Sequence, residues 1–183
     1  MTALFILAFA LAMDAFAASL CQGAVARPGP GGAIRIGAAF GTAQALMPLI
    51  GWGLGIAFAG VIQAVDHWVA LILLGALGLR MIRAGLNEEA DCAPPLMGWA
   101  LLSAAVATSI DAAAAGVTLP LLEQPVLIAI LVIGATTAIL CFGGVFAGAA
   151  LGSRLGKKAE VAGGLMLLAL GLKIFTEHQF LGA

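Results

Sequence analysis

Six apolar runs of about 20 residues or more follow one another along this chain, at about residues 2–25, 34–59, 67–86, 97–119, 126–150 and 159–177. At 1.5 Å per residue, a helical run of that length crosses the roughly 30 Å of hydrocarbon in a bilayer. Pro, Gly and charged residues fall between the runs, where helices can end. Of the 183 residues, 63% are hydrophobic and 9% charged, against roughly half and a quarter in a soluble domain. A water-soluble fold is thereby excluded. The runs do not alternate apolar with polar residues, so they do not read as barrel strands. The expected fold class is all-α, a polytopic membrane protein with six transmembrane helices.

The net charge of -1 and the lack of any basic cluster beyond Arg154, Lys157 and Lys158 give no support to nucleic-acid binding; the lipid bilayer is the expected surrounding. Cys21 and Cys141 sit inside apolar runs and read as small inert hydrophobes, while Cys92 lies in a loop without an obvious partner. Ala15-Phe16-Ala17 resembles a signal-peptide cleavage site. No Lys or Arg precedes it, however, so residues 1–25 read as a retained first span.

Seven of the eight basic residues stand in or beside the first, third and fifth connections: Arg27, Arg35, Arg80, Arg83, Arg154, Lys157 and Lys158. Positive charge stays on the cytoplasmic side. Both termini are therefore expected outside, in the periplasm if the host membrane is a bacterial inner membrane. The acidic, proline-containing stretch 87–95 falls near the middle and reads as a cytoplasmic linker between residues 1–86 and 96–183. Met13-Asp14-Ala15 lies on Ile110-Asp111-Ala112 when the chain is shifted by 97 residues, and the same shift carries Gly37 onto Gly134 and Gly51 onto Gly148. With three spans in each, the two halves must have opposite orientations. Inverted repeats of this kind are a transporter signature.

Asp14 and Asp111 sit halfway along the first and fourth spans, where an ionised carboxylate costs about 2.5–3.5 kcal/mol on insertion scales. Small residues flank both at helical spacing, namely Ala10, Ala17, Ala18 and Cys21, and Ala107, Thr108, Ala114, Ala115 and Thr118. Such stripes mark helix contacts, so both carboxylates should point into the bundle. In the second span Pro48 cannot donate to the carbonyl of Gln44, which offers a backbone and a side-chain oxygen together. Carboxylate, amide and carbonyl oxygens are the ligands that Mn²⁺, Mg²⁺ or Ca²⁺ prefer. Met47, three residues from Gln44, is a soft candidate ligand that also suits core packing. Asp66 and His67 open the third span as a dipole partner or an exit-side relay. Glu160 opens the sixth as a dipole partner or an entry-side ligand. The hydroxyls of Ser19, Thr108 and Ser109 are expected to bond the preceding turn. Gly152 to Lys157 lacks the spacing of a phosphate loop. Transport would then be driven by an ion gradient, the membrane potential or a partner subunit.

Met13-Asp14-Ala15-Phe16-Ala17-Ala18-Ser19, Pro48-Leu49-Ile50-Gly51-Trp52-Gly53, Asp66-His67-Trp68, Ala107-Thr108-Ser109-Ile110-Asp111-Ala112 and Gly156-Lys157-Lys158-Ala159-Glu160 resemble the bacterial MntP manganese efflux pumps. The resemblance implies a six-span exporter of the LysE-like group with Mn²⁺ as transported substrate, no resident cofactor and no enzymatic activity, in which the aspartates matching Asp14 and Asp111 are functional. Gln44 departs from members with Glu at that place, which lowers the negative charge available to a divalent cation. A LysE-like exporter of small amino acids is the alternative. An intramembrane aspartyl protease also needs two facing carboxylates, but neither aspartate follows a Gly-x-Gly pattern.

Overall fold

The computed structural model describes residues 2–57, 66–86, 92, 94–119, 125–152 and 154–181. Those residues are helices and the turns between them: α1 (Thr2–Ala26), α2 (Pro30–Ala57), α3 (Asp66–Leu86), α4 (Trp99–Thr108), α5 (Ile110–Gly116), α6 (Val126–Leu151) and α7 (Arg154–Leu181). In hydrocarbon every backbone group must be bonded within its own segment, which leaves helix as the form these apolar runs can take. Five stretches are long and apolar enough to cross a membrane: Thr2–Ala26, Pro30–Ala57, Trp99–Gly116, Val126–Leu151 and Gly156–Thr176. This is a multi-pass membrane protein. α2 opens on Pro30, whose fixed φ suits a first helical position. α6 closes on Gly152 at φ 77, its amide bonded back to Gly148 O, a conformation that a side chain would strain.

The expected fourth span is two helices. Ser109, at φ -94 and ψ 3, separates α4 from α5. Ser109 Oγ donates to Ala105 O at 2.7 Å, Thr108 Oγ1 donates to Ala104 O and Ala105 O, and the Ser109 amide turns to Val106 O. Hydroxyls thus take carbonyls that a continuous α-helix would give to amides. Ser19 behaves as expected, its Oγ donating to Phe16 O at 2.7 Å.

α1 runs through the middle and packs chiefly on α6 and α7, while α3 packs on α7 and α2 on α6. The larger core cluster joins Leu4, Leu7, Leu11 and Met13 of α1 to Leu74 and Met81 of α3, Ala112 and Ala115 of α5, Ile133 of α6 and Leu167 of α7. Large apolar side chains such as Phe5, Ile50, Ile72, Leu131 and Ile139 are exposed, as a lipid-facing surface requires.

Bare backbone makes the closest approaches. A Cβ on Gly23 or Gly148 would strike the backbone of Val145 or Leu20, and one on Gly51 or Gly116 that of Ala113 or Pro48. α2 therefore meets α5 as α6 meets α1. At the α2–α6 crossing Gly41 lies against Gly134 and Ala138, and Gly37 against Ala138. The shift of 97 residues exchanges these α2–α6 contacts with one another, whereas the contacts of α1 and α5 match at a shift of 93 (Leu20 to Ala113, Gly23 to Gly116). Where α3 crosses α7, Gly78 lies against Gly164 and Leu168, and Gly164 against Gly78 and Ile82. This set exchanges within itself under a shift of 86 (Gly78 to Gly164, Ile82 to Leu168).

Cys21 is bonded to Cys92 through a disulfide, which corrects the reading of Cys21 as an inert hydrophobe and of Cys92 as unpartnered. The last turns of α1 lie against Cys92 and residues 94–96. There Gln22, itself buried, donates to Pro94 O and accepts from the Leu96 amide at 2.7 Å.

Candidate functional site

Helix α1 carries Asp14 into the middle of the bundle, and the Ser109 break carries Asp111 there from the other side. Their carboxyl groups face each other at interacting distance. Each accepts from the amide of the next residue, Ala15 N–H to Asp14 Oδ1 at 2.6 Å and Ala112 N–H to Asp111 Oδ1 at 2.7 Å. The two aspartates are thus held in the same way although one helix is continuous and the other broken. Asp111 is buried, with 2% of its surface exposed.

Gln44 comes from α2 and is fully buried. Its Nε2 donates to Leu11 O at 2.7 Å. Helix carbonyls point toward the C-terminus, so Leu11 O lies level with the turn that carries Asp14. The remaining oxygen, Gln44 Oε1, has no hydrogen-bond partner, and neither has Asp14 Oδ2. These two are the buried side-chain polar atoms left unbonded among the described residues. An unpaired buried acceptor costs about 1–3 kcal/mol. Two such oxygens at one level of the bundle are what a hard cation would satisfy.

A cavity of ≈ 290 Å³ leads away from Asp14 toward the α1 C-terminus, lined by Ala17, Ala18, Cys21, Arg80, Thr108, Lys157 and Glu160 among others. It has room for a cation with several waters. Asp14 and Glu160 therefore share one space. Gln44 lies beside α1 rather than on the cavity wall, and Met47 is partly buried against the larger core cluster. Asp66 and His67 begin α3, and their side chains lie outside the described residues. Among the described residues no group of three or more His, Cys, Asp and Glu gathers, so a metal here would rely on two carboxylates and neutral oxygens.

Arg80 also lines the cavity. Sequence reasoning counted it only toward orientation. Its position inside the expected third span, six residues before the end of α3, was the available signal, since arginine within a span is rare and costly.

Fold and site together define a multi-pass membrane protein with a cavity, carrying Arg80, Lys157 and Glu160 on its wall, that reaches Asp14 of a carboxylate pair inside the bundle. Residues 28–175 match a protein family described as "Putative manganese efflux pump". Curated relatives called "Putative manganese efflux pump MntP" include one from Rhodospirillum rubrum, 47% identical over 94% of this chain and 95% of its own length. One from Photorhabdus laumondii is 46% identical over 97% and 95%, and one from Clostridium botulinum is 41% identical over 97% and 95%. The chain belongs to this family. Membership places it among transport proteins, which sets aside the protease alternative. No solved structure matches it.

Proposed function

We propose that this protein exports Mn²⁺ from the cytoplasm across a bacterial inner membrane, with Asp14 and Asp111 as the charged ligands and Gln44 Oε1 as a neutral one. The observation that carries this reading is the pair of unbonded buried oxygens, Asp14 Oδ2 and Gln44 Oε1, at one level of the bundle. The names of the relatives support manganese as cargo. The cavity opens toward the end that bears Arg80 and Lys157, which the positive-inside rule assigns to the cytoplasm. It is in that case a loading vestibule, Glu160 is an entry-side ligand on its wall, and both termini are periplasmic. Met47, Asp66 and His67 remain candidates for later steps on the path.

The architecture that serves this function is two inverted three-helix repeats, residues 1–86 and 96–183, joined by the linker 87–95. The exchangeable contacts at the α2–α6 and α3–α7 crossings support a pseudo-two-fold relation between them. Rocking of one repeat against the other would alternate access to the aspartates, driven by an ion gradient. Mn²⁺ uptake into inside-out vesicles under an imposed proton gradient tests cargo, direction and drive together. Uptake expected of wild type should vanish in Asp14→Asn and in Asp111→Asn. Wild-type uptake in either variant would overturn the site, and competition by small amino acids would point to the LysE-like alternative.

A further inference from the structure

Arg80 is a fixed cation facing a site whose cargo is a cation. It shares the cavity with Asp14 and Glu160, and it is within electrostatic reach of Asp14, Asp111 and Glu160. Asp14 Oδ2 is unbonded, so the guanidinium does not hydrogen-bond that oxygen. Arginine keeps its charge at any physiological pH.

Two carboxylates inside a membrane need positive charge beside them at every stage of a transport cycle. When loaded, the divalent cation supplies it. When the carrier returns without Mn²⁺, that charge must come from the driving ion, a fixed side chain or both, and Arg80 is on a flexible stem in the same space. We infer that Arg80 is the built-in counter-cation of the empty site, standing in for the cargo on the return step and yielding toward Glu160 when a divalent cation loads. Arg80 is thus a positioning residue rather than a ligand. The inference rests on the reading of Asp14 and Asp111 as the cation site. It also gives the carrier a threshold: loading must displace a competing charge, which weakens apparent affinity while speeding the return.

Neutralising Arg80 should therefore move two parameters in opposite senses. The alternative role is a snorkelling anchor at the headgroups, which would alter insertion and leave affinity alone. Initial rates of Mn²⁺ uptake into inside-out vesicles, normalised to inserted protein, separate the two for wild type, Arg80→Gln, Arg80→Met and Arg80→Lys. Both neutral variants should lower half-saturating Mn²⁺ by about ten-fold, the equivalent of 1.4 kcal/mol, and lower the maximal rate by a similar factor. Arg80→Lys should stay within about three-fold of wild type, since it keeps the charge. Unchanged or raised half-saturation in the neutral variants overturns the inference. So does failure of both to accumulate while Arg80→Lys accumulates normally, because the charge would then serve insertion. Absence of Mn²⁺ uptake by wild type would instead bring down the transport reading itself.

Discussion

The first half of the chain carries its aspartate on an unbroken helix, and the second half carries its own two residues after a break. Both carboxylates nonetheless accept from the following amide and face each other. Their neighbours on the next span differ more. The shift of 97 residues that lays Asp14 on Asp111 lays Gln44 on Cys141 and Pro48 on Val145. Gln44 bonds α1 and leaves an oxygen unbonded, while Cys141 is buried next to Ser19 in the smaller core cluster. The frame and the charge are thus repeated, and the neutral oxygen donor is not. In the proposed repeat architecture, a site shared by the two halves would have matched charge and one-sided ligation.

The charge comparison is the easiest to break. Asp14→Asn and Asp111→Asn should each abolish Mn²⁺ uptake by about a hundred-fold or more, since removing one partner from a buried charged site costs about 3–5 kcal/mol. The double variant should be no worse than either single one. If one aspartate tolerates the change, the halves differ in charge as well as in ligation.

The repeated frame predicts matched stability losses. Gly51→Ala and Gly148→Ala place a Cβ into the backbone of Ala113 and Leu20 respectively, and overpacking of this kind costs about 1–3 kcal/mol. Gly53→Ala, with open space around it, should leave stability unchanged or raise it slightly. Thermal unfolding in detergent of the three variants checks this. A loss at one matched site without the other would show that the two helix contacts are not equivalent.

One-sided ligation predicts a smaller and unequal pair. Gln44→Ala should raise half-saturating Mn²⁺ by about ten-fold, on the order of one hydrogen bond to a charged group. Cys141→Ala should change it by less than about two-fold, since an apolar site loses only packing. Equal effects in vesicle uptake would place a ligand in the second half as well.

Much of this was legible in the sequence. Apolar run length placed α1 and α6 to within a residue or two, because in hydrocarbon it is the dominant constraint. Asp14 and Asp111 stood out by their cost at membrane depth, and the hydroxyl of Ser19 turned back as its type suggests. Three features depended on information that no local window holds. The Cys21–Cys92 disulfide joins residues 71 apart. The entry of Arg80 into the cavity depends on which face of α3 meets α7. The α3–α7 register follows a shift of 86 rather than 97, as Gly78 and Gly164 reveal, and an alanine- and leucine-rich run gives no internal mark of that slip.

The break at Ser109 was hidden for a subtler reason, and it yields the smallest expected effect. Serine and threonine were expected to bond the preceding turn, but adjacent Thr108 and Ser109 direct their hydroxyls onto the same carbonyl, Ala105 O. One hydroxyl is ordinarily accommodated by a helix, whereas two compete with the amide that should bond there. In Ser109→Ala the Thr108 hydroxyl still holds Ala105 O, so the break should persist and stability should change by less than about 1 kcal/mol. In Thr108→Val with Ser109→Ala the carbonyl is released to the amide of residue 109, the span should become continuous as α1 is, and Asp111 should turn relative to Asp14. Mn²⁺ half-saturation would then rise several-fold while Ser109→Ala alone leaves it near wild type. Equal transport by the single and double variants would mean that the broken helix and the unbroken one present their carboxylates equally well.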